Sequence, residues 1–285
     1  MPLLSFIILT LNEELNLPIC LGSLRGLDAE IFVIDSGSVD RTAEIAREFG
    51  ATVVQHPFEN QARQINWALD NLHFSAPWIM RLDGDERLTP ELRDELKSVL
   101  PAAPDTVTGF LVKRRVYFWG RWIRHGGYYP VWLLRIWRHG KGRSEDRWLD
   151  EHIFVTEGKT RRLNADIIDE NHKGLTFWID KHNGFSDREV RTLLTVSDAS
   201  DARRIGGQAG RKRILKTSLY ARMPLILRAF LYWFFRYFVL LGFLDGKAGF
   251  VFHFLQGLWY RVVVDAKLYE FERKSLLGIT PRRDE

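Results

Sequence analysis

The chain has 285 residues, a formal net charge of +5, 46% hydrophobic and 13% aromatic residues, and one cysteine, Cys20. Its length suits one nucleotide-binding domain of moderate size with an appendage. The single cysteine excludes an intrachain disulfide, fits a reducing compartment and reads as a small core residue. Leu3 to Leu9 is an apolar run of strand length that ends in Thr10-Leu11-Asn12-Glu13-Glu14. It lacks a basic leader and is accounted for as a first strand, so no signal peptide is expected. Glu30 to Ile34 forms a second run, ending in Asp35-Ser36-Gly37-Ser38-Val39-Asp40-Arg41-Thr42, and Thr52 to Gln55 a third. Pro77 to Leu82 is a fourth, running into Asp83-Gly84-Asp85-Glu86. Helix-like segments lie between them at Leu15 to Leu24, Thr42 to Phe49 and Gln61 to Leu72. Strands alternating with helices over short connections argue for an α/β fold: a Rossmann-like, mostly parallel sheet with helices on both faces. In such sheets ligands bind at the carboxyl ends of the strands, where three of these four runs end in carboxylate-bearing loops.

The Asp83-Gly84-Asp85 tripeptide stands at such a strand end, with a glycine that lets the backbone turn tightly. Two aspartates one residue apart suit a hard divalent cation, Mg²⁺ or Mn²⁺, although the same tripeptide alone also serves as a polar turn. Pro101-Ala102-Ala103-Pro104 reads as a loop between a helix and the next strand. Residues 114–143 are dense in Arg, Trp and Tyr, a mixture that stacks on sugar faces and pairs with phosphates. It could also bind single-stranded nucleic acid, yet nothing in the chain resembles a nucleic-acid module and no nucleic-acid partner is expected.

The run Thr10-Leu11-Asn12-Glu13, then Asp35 to Thr42, then Asn66 in a helix, then Asp83-Gly84-Asp85-Glu86, resembles the successive signatures of glycosyltransferase family 2. The resemblance is strong over about the first hundred residues and continues less specifically through Asp150-Glu151-His152 and His172. The subgroup it looks most like is the lipopolysaccharide-core β-glucosyltransferases. The resemblance implies a GT-A fold and an inverting, metal-dependent transfer from a nucleotide sugar, in the first instance a UDP-hexose, to a lipid-linked or lipopolysaccharide-type glycan. It also implies the roles of particular residues. Asp85 would touch the metal ion, Asp83 would lie nearby towards the ribose, and His172 would stand near metal and phosphates. Thr10, Asn12 and Glu13 would line the nucleoside pocket with Asp35 against the base, and Ser38 and Asn66 complete the donor-binding set. Asp40 and Thr42 are read chiefly as helix caps. Inverting transfer needs a general base. Glu151 matches the family's spacing to His172, with Asp150 in reserve and Asp146 weaker. The Gln-x-x-Arg-Trp motif of processive relatives is missing, because Arg147-Trp148 lacks the glutamine, so addition of a single sugar is expected.

The last third differs in character. From residue 201 onward there are 16 Lys and Arg against 7 Asp and Glu. Met223 to Leu244 is aromatic and apolar, interrupted by Arg228 and Arg236, and Phe250 to Val264 forms a second such segment. Arginines are costly at a bilayer centre, so the pair of segments is expected to lie at the membrane interface rather than cross it. Arg211, Lys212, Arg213 and Lys216 would meet anionic lipid heads, and Arg228 and Arg236 would mark one polar edge of the helix. A buried helical hairpin closing the domain is the competing reading. The expected organisation is thus a catalytic domain over 1–200, with nucleotide-sugar binding in 1–100 and the acceptor side in 101–200. A helical membrane-associating region over 201–285 follows, peripheral on the cytoplasmic face of the inner membrane. Two other classes remain open: a nucleotidyltransferase on a related sheet, lacking here its glycine-rich loop ending in Arg, and a non-catalytic membrane-associated binding protein.

Overall fold

A computed structural model of the protein describes residues 1–146, 151–195 and 223–277. Asp150 and the basic residues Arg211, Lys212, Arg213 and Lys216 lie outside the described residues. Two compact units divide the chain between Lys173 and Gly174, earlier than the expected boundary at 200, and the segment Ile123–Tyr128 belongs with the second.

In the first unit, β1 (Leu4–Thr10), β2 (Ala29–Asp35), β3 (Thr52–Gln55) and β4 (Trp78–Asp83) pair in parallel in the order β3-β2-β1-β4. Alternation along each strand sends side chains to opposite faces. Leu4, Phe6 and Ile8 of β1 join Leu17, Cys20 and Leu21 of α1 (Leu17–Ser23), Ile45 and Ala46 of α2 (Thr42–Glu48), and Leu92 and Leu96 of α4 (Pro90–Val99). Ile7, from the other face of β1, joins Ile34, Ile79 and Trp137 against Ile65 and Ala68 of α3 (Gln61–Asn71). Helix starts follow local chemistry: Asn60 accepts from Arg63 N at 2.8 Å and Thr89 from Leu92 N at 3.2 Å, the latter followed by Pro90.

The far half of the sheet corrects the mostly parallel expectation. β8 (Trp132–Arg138) is antiparallel to both β4 and β6 (Val107–Phe118), and β5 (Glu86–Leu88) is antiparallel to β11 (Lys159–Asp169). β6 and β11 pair in parallel, and β7 (Arg121–Ile123) pairs with β6. Parallel neighbours need a crossover of a dozen or more residues, usually a helix, and no helix intervenes between β6 and β8. The sheet is therefore mixed. A small antiparallel pair, β9 (Gly142–Ser144) with β10 (Ile153–Val155), accompanies it. Register sets Thr10 opposite Asp35 and Leu9 opposite Asp83, so the polar ends of three strands share one edge.

In the second unit, α5 (Gly174–Thr195) packs on a helix spanning Tyr260–Leu276 through Val190, Tyr260 and Val264. A helix at Leu227–Phe234 runs on as a π-helical turn at Phe235–Val239 and breaks at Leu241, which takes a left-handed φ of 60°. A 3₁₀ turn at Gly242–Asp245, a helix at Gly246–His253 and a second π-helical turn at Phe254–Trp259 lead into Tyr260–Leu276. Among the described residues no single helix is long and apolar enough to cross a membrane. Leu227–Val239 and Gly242–Leu276 pass that length and composition test only together, bent by 70°. The expected polar edge is not there. Arg228 is buried in an ion pair with Asp265, and the Arg236 guanidinium donates to Gly126 O and lies 3.7 Å from the centre of the Tyr128 ring. An arginine in an apolar helix finds a carboxylate, a carbonyl or an aromatic face within the fold more cheaply than it is left among apolar side chains.

Candidate active site

The loop after β1 is built on hydrogen bonds to the loop after β2. Asp35 is fully buried at the end of β2. It accepts from Thr10 Oγ1 at 3.0 Å, Ser38 N at 2.9 Å, Gln55 Nε2 at 2.8 Å and also Ser38 Oγ. Burial works against its charge, but the Ser38, Gln55 and Thr10 donors hold its pKa below the usual carboxylate value. Asn12, with φ of 54°, donates its N–H to Ser38 Oγ at 2.8 Å and accepts from Val39 N at 2.9 Å. Glu13 N donates to Thr42 Oγ1 at 2.7 Å, and Glu14 N to Asp40 at 3.1 Å. Thr10, Asn12, Glu13, Asp35 and Ser38 therefore lie together, and much of their polarity clamps the two loops to each other. Asp40 accepts from Thr42 N at 3.0 Å, but Arg41 holds the cap position of α2 and makes no side-chain cap bond, so the pair serves the loop contacts to Glu13 and Glu14 rather than the capping expected of it.

Four carboxylates crowd the end of β4. Gly84 leaves room there, because a Cβ would stand 2.8 Å from Glu13 Cγ and force Glu13 to shift. Burial pushes the Glu13 pKa up, and the Asp85 charge adds to it; Asn16 and Lys173, the latter at 2.7 Å, hold the side chain in place. The Cys20 thiol, wholly buried beneath, is pushed up by burial and then by Glu86, Asp85, Asp83 and Glu13. Glu86 is 1% exposed and its pKa is raised to about 7, by burial first, against the pull of Arg135 at 2.5 Å.

Arg81 joins these groups to the expected base. From the middle of β4 its guanidinium reaches Asp83 Oδ1 at 3.2 Å, Glu151 Oε1 at 3.1 Å and Gln61 Oε1 at 3.2 Å. Burial opposes its charge, but Asp83, Glu151 and Glu86 outweigh that and raise its pKa. Arg135 stands 3.6 Å from the other Asp83 oxygen. Both Asp83 oxygens thus face guanidinium groups, whereas Asp85 Oδ2 accepts an amide hydrogen from Asn171 at 2.9 Å. His172 is anchored by its N–H to Asn16 at 2.9 Å and lines one narrow crevice with Asp85, Cys20 and Glu170.

Among the described residues no three His, Cys, Asp or Glu side chains meet as a metal cage. Asp83, Asp85 and His172 are therefore not assembled as one ligand set, because Asp83 is drawn to Arg81 and Arg135. The donor chemistry still fits a divalent ion: the crowded groups are oxygen donors, and Mg²⁺ or Mn²⁺ takes one or two carboxylates and completes its shell from substrate phosphates and water. Asn66 has a different task from the one expected. Its side chain brackets the Ser144 backbone, donating to O at 2.9 Å and accepting from N at 3.0 Å, and so ties α3 to β9.

The residues that sequence reasoning missed are Arg81, Arg135 and Lys173. A signal existed for two of them: an arginine inside an otherwise apolar strand must find carboxylates. Lys173 carried none.

Comparison with known proteins gives four findings. The family model described as "Glycosyl transferase family 2" matches residues 5–172. The lipopolysaccharide core biosynthesis glycosyltransferase LpsC of Rhizobium meliloti (strain 1021) is 39% identical over 168 residues, 55% of this chain and 58% of that protein. An uncharacterized glycosyltransferase of Rickettsia typhi (strain ATCC VR-144 / Wilmington) is 31% identical over 96 residues, 34% of this chain and 32% of its own. The chain thus spans less than two thirds of the length of these curated relatives. Among solved structures, mannosyltransferase PcManGT from Pyrobaculum calidifontis, in complex with GDP-Man and Mn²⁺, has 15% identity and a TM-score of 0.50 over 97% of this chain and 88% of that one, a likeness of fold.

Proposed function

The chain belongs to glycosyl transferase family 2 and has the GT-A fold, and on that premise we propose that it moves one sugar from a nucleotide donor, in the first instance a UDP-hexose, onto a lipid-linked or lipopolysaccharide-type glycan with inversion. The observation that carries the reading is Arg81, which holds Asp83 at 3.2 Å and Glu151 at 3.1 Å in one buried contact set. It links the motif that meets the diphosphate to the base that meets the acceptor. The likeness to LpsC supports the acceptor class, and PcManGT's GDP-Man and Mn²⁺ support a nucleotide sugar and a divalent ion.

In this mechanism Glu151 takes the acceptor proton as the hydroxyl oxygen attacks the anomeric carbon, and the bond to the diphosphate breaks on the opposite face. The guanidinium of Arg81, 3.1 Å from Glu151 Oε1, fixes where that carboxylate points. A divalent ion on Asp85, with His172 on the same crevice, would supply Lewis-acid stabilisation of the leaving diphosphate. The loops carrying Thr10, Asn12, Glu13, Asp35 and Ser38 shape the nucleoside side. We place the protein peripherally on the cytoplasmic face of the inner membrane, a reading supported by the exposed apolar side chains of its second unit.

Glu151→Gln tests the proposal, since it keeps the shape and removes the basicity. Turnover of UDP-sugars with a lipopolysaccharide-type acceptor should fall by roughly 10²–10⁴ while calorimetric donor affinity is retained. Near-normal turnover in Glu151→Gln together with its loss in Asp150→Asn would move the base to Asp150.

A further inference from the structure

The segment 225–260 has its polarity turned inside out. Its acidic, basic and histidine side chains are Arg228, Arg236, Asp245, Lys247 and His253, and of these only Lys247 is exposed. Asp245 is 2% exposed, and accepts from Arg124 N at 3.2 Å, His125 N at 3.1 Å and His125 Nδ1 at 2.7 Å, with His253 Nε2 at 3.3 Å. Arg236 is covered by Tyr128, Gly126 O and the Tyr232 hydroxyl. The segment Ile123–Tyr128 therefore acts as a polar plug inside this unit. Outside stand large apolar side chains: Phe230, Phe234, Phe238, Val239, Leu241 and Leu244 are each 44–56% exposed, and Phe235, Phe243 and Phe250 fall in the same range.

Water does not favour that arrangement, but hydrocarbon does: apart from Lys247, whose long side chain can reach back to the headgroups, the charged side chains are held inside and the apolar ones face out. A lipid interior is thus the occupant this surface fits. The path of the chain sets the topology. Asp265 accepts from Ile226 N at 2.8 Å and Arg228 Nε at 2.8 Å, so the start of the segment is bound to the helix that leaves it. That exit helix carries Arg261, Lys267, Glu270, Glu272, Arg273 and Lys274 and is held to α5 by Arg261–Glu189 at 2.7 Å and Lys267–Asp187 at 2.5 Å. Both ends of the loop are closed on one polar platform. Leu227–Val239 spans roughly 20 Å at 1.5 Å per residue, too short for a hydrocarbon core of about 30 Å.

We propose that 226–259 enters the hydrocarbon of one leaflet as a bent, re-entrant elbow with both ends returning to the same face, rather than lying among the headgroups. The inference rests on the membrane reading above and sharpens it. The elbow is closed by the Asp265 contacts and filled by the 123–128 plug.

The full chain, reconstituted in vesicles of phosphatidylcholine and phosphatidylglycerol, allows a direct test. Native Cys20 is 1% exposed, so single cysteines introduced by Phe238→Cys, Leu241→Cys and Glu272→Cys can be labelled selectively with an environment-sensitive fluorophore. Nitroxides deep in the acyl chains should quench positions 238 and 241 at least twofold more than headgroup nitroxides, and neither should quench position 272. A membrane-impermeant maleimide should reach Pro224→Cys and Glu272→Cys from the same side. Stronger headgroup quenching at 238 and 241 would overturn insertion in favour of surface docking, and labelling of 224 and 272 from opposite sides would establish a span. No quenching by either probe in protein that floats with the vesicles would mean that protein covers this face. Donor binding and turnover of the same variants in detergent read the catalytic proposal separately.

Discussion

Arg81, Gly84 and Asp85 lie within five residues, yet substitution at each should fail differently. Arg81 is 4% exposed and neutralises two carboxylates. Removing one partner of a buried ionic set leaves unpaired charge, so Arg81→Met should cost about 3–5 kcal/mol, visible as a lowered urea midpoint. Asp85→Ala should leave that midpoint within about 1 kcal/mol and abolish the Mn²⁺-dependent part of nucleotide binding in calorimetry. Nucleotide affinity unchanged with and without metal would remove Asp85 from the ion site. Gly84→Ala drives a methyl group to 2.8 Å from Glu13 Cγ and 3.2 Å from its Cβ. The near part of Glu13 cannot swing aside without disturbing its contacts to Asn16 and Lys173, so a loss of about 1–3 kcal/mol is expected. Donor affinity should weaken with it.

At the scale of the element, α5 contains a pH-sensitive contact outside the catalytic unit. His182 stacks on Trp178 with ring centres 3.5 Å apart and is bonded through Nδ1 to Trp178 O at 2.8 Å. Burial, chiefly, depresses its pKa to about 4 from an ordinary 6.5. The unfolded chain therefore binds a proton that the folded chain refuses, and stability contributed at neutral pH is lost as pH falls from about 6.5 to about 4. The loss should reach up to about 3 kcal/mol, reduced by partial exposure of the ring. Urea midpoints of wild type and His182→Gln in detergent, from pH 8 to pH 4, should converge at the acid end. Parallel pH profiles would show that His182 titrates alike in both states.

For the whole molecule, the inward turn of Arg228 and Arg236 changes the expected salt dependence. Attraction of surface charges to anionic lipid is nearly abolished at 1 M salt, where the Debye length is about 3 Å. Burial of apolar side chains is not weakened that way. Vesicle flotation should therefore persist at 1 M salt and on phosphatidylcholine alone, with anionic lipid strengthening it only at low salt. Complete release at 1 M salt would mean that charge, not the exposed phenylalanines, carries the attachment.

Strand and helix positions of the first hundred residues were legible because period and punctuation are local: β1 to β4 and α1 to α3 fall where apolar runs and turn residues put them. Asp83, Asp85 and the loops at Thr10 and Asp35 were legible as well, since strand ends in such sheets share an edge. Direction of the later strands was not, because antiparallel pairing of β8 with β4 and β6 depends on which sheet edge it meets in space. Nor was the work of individual polar groups. Asn66 reaches across 78 residues of chain to Ser144, Arg81 across 70 to Glu151, and Arg228 across 37 to Asp265. A sequence shows that a charge or an amide must be satisfied; which partner satisfies it is a matter of distance in space. For that reason the composition of 226–259 already marked an apolar segment with arginines in it, while only the tertiary structure decided that those arginines point inward and the aromatic side chains point out.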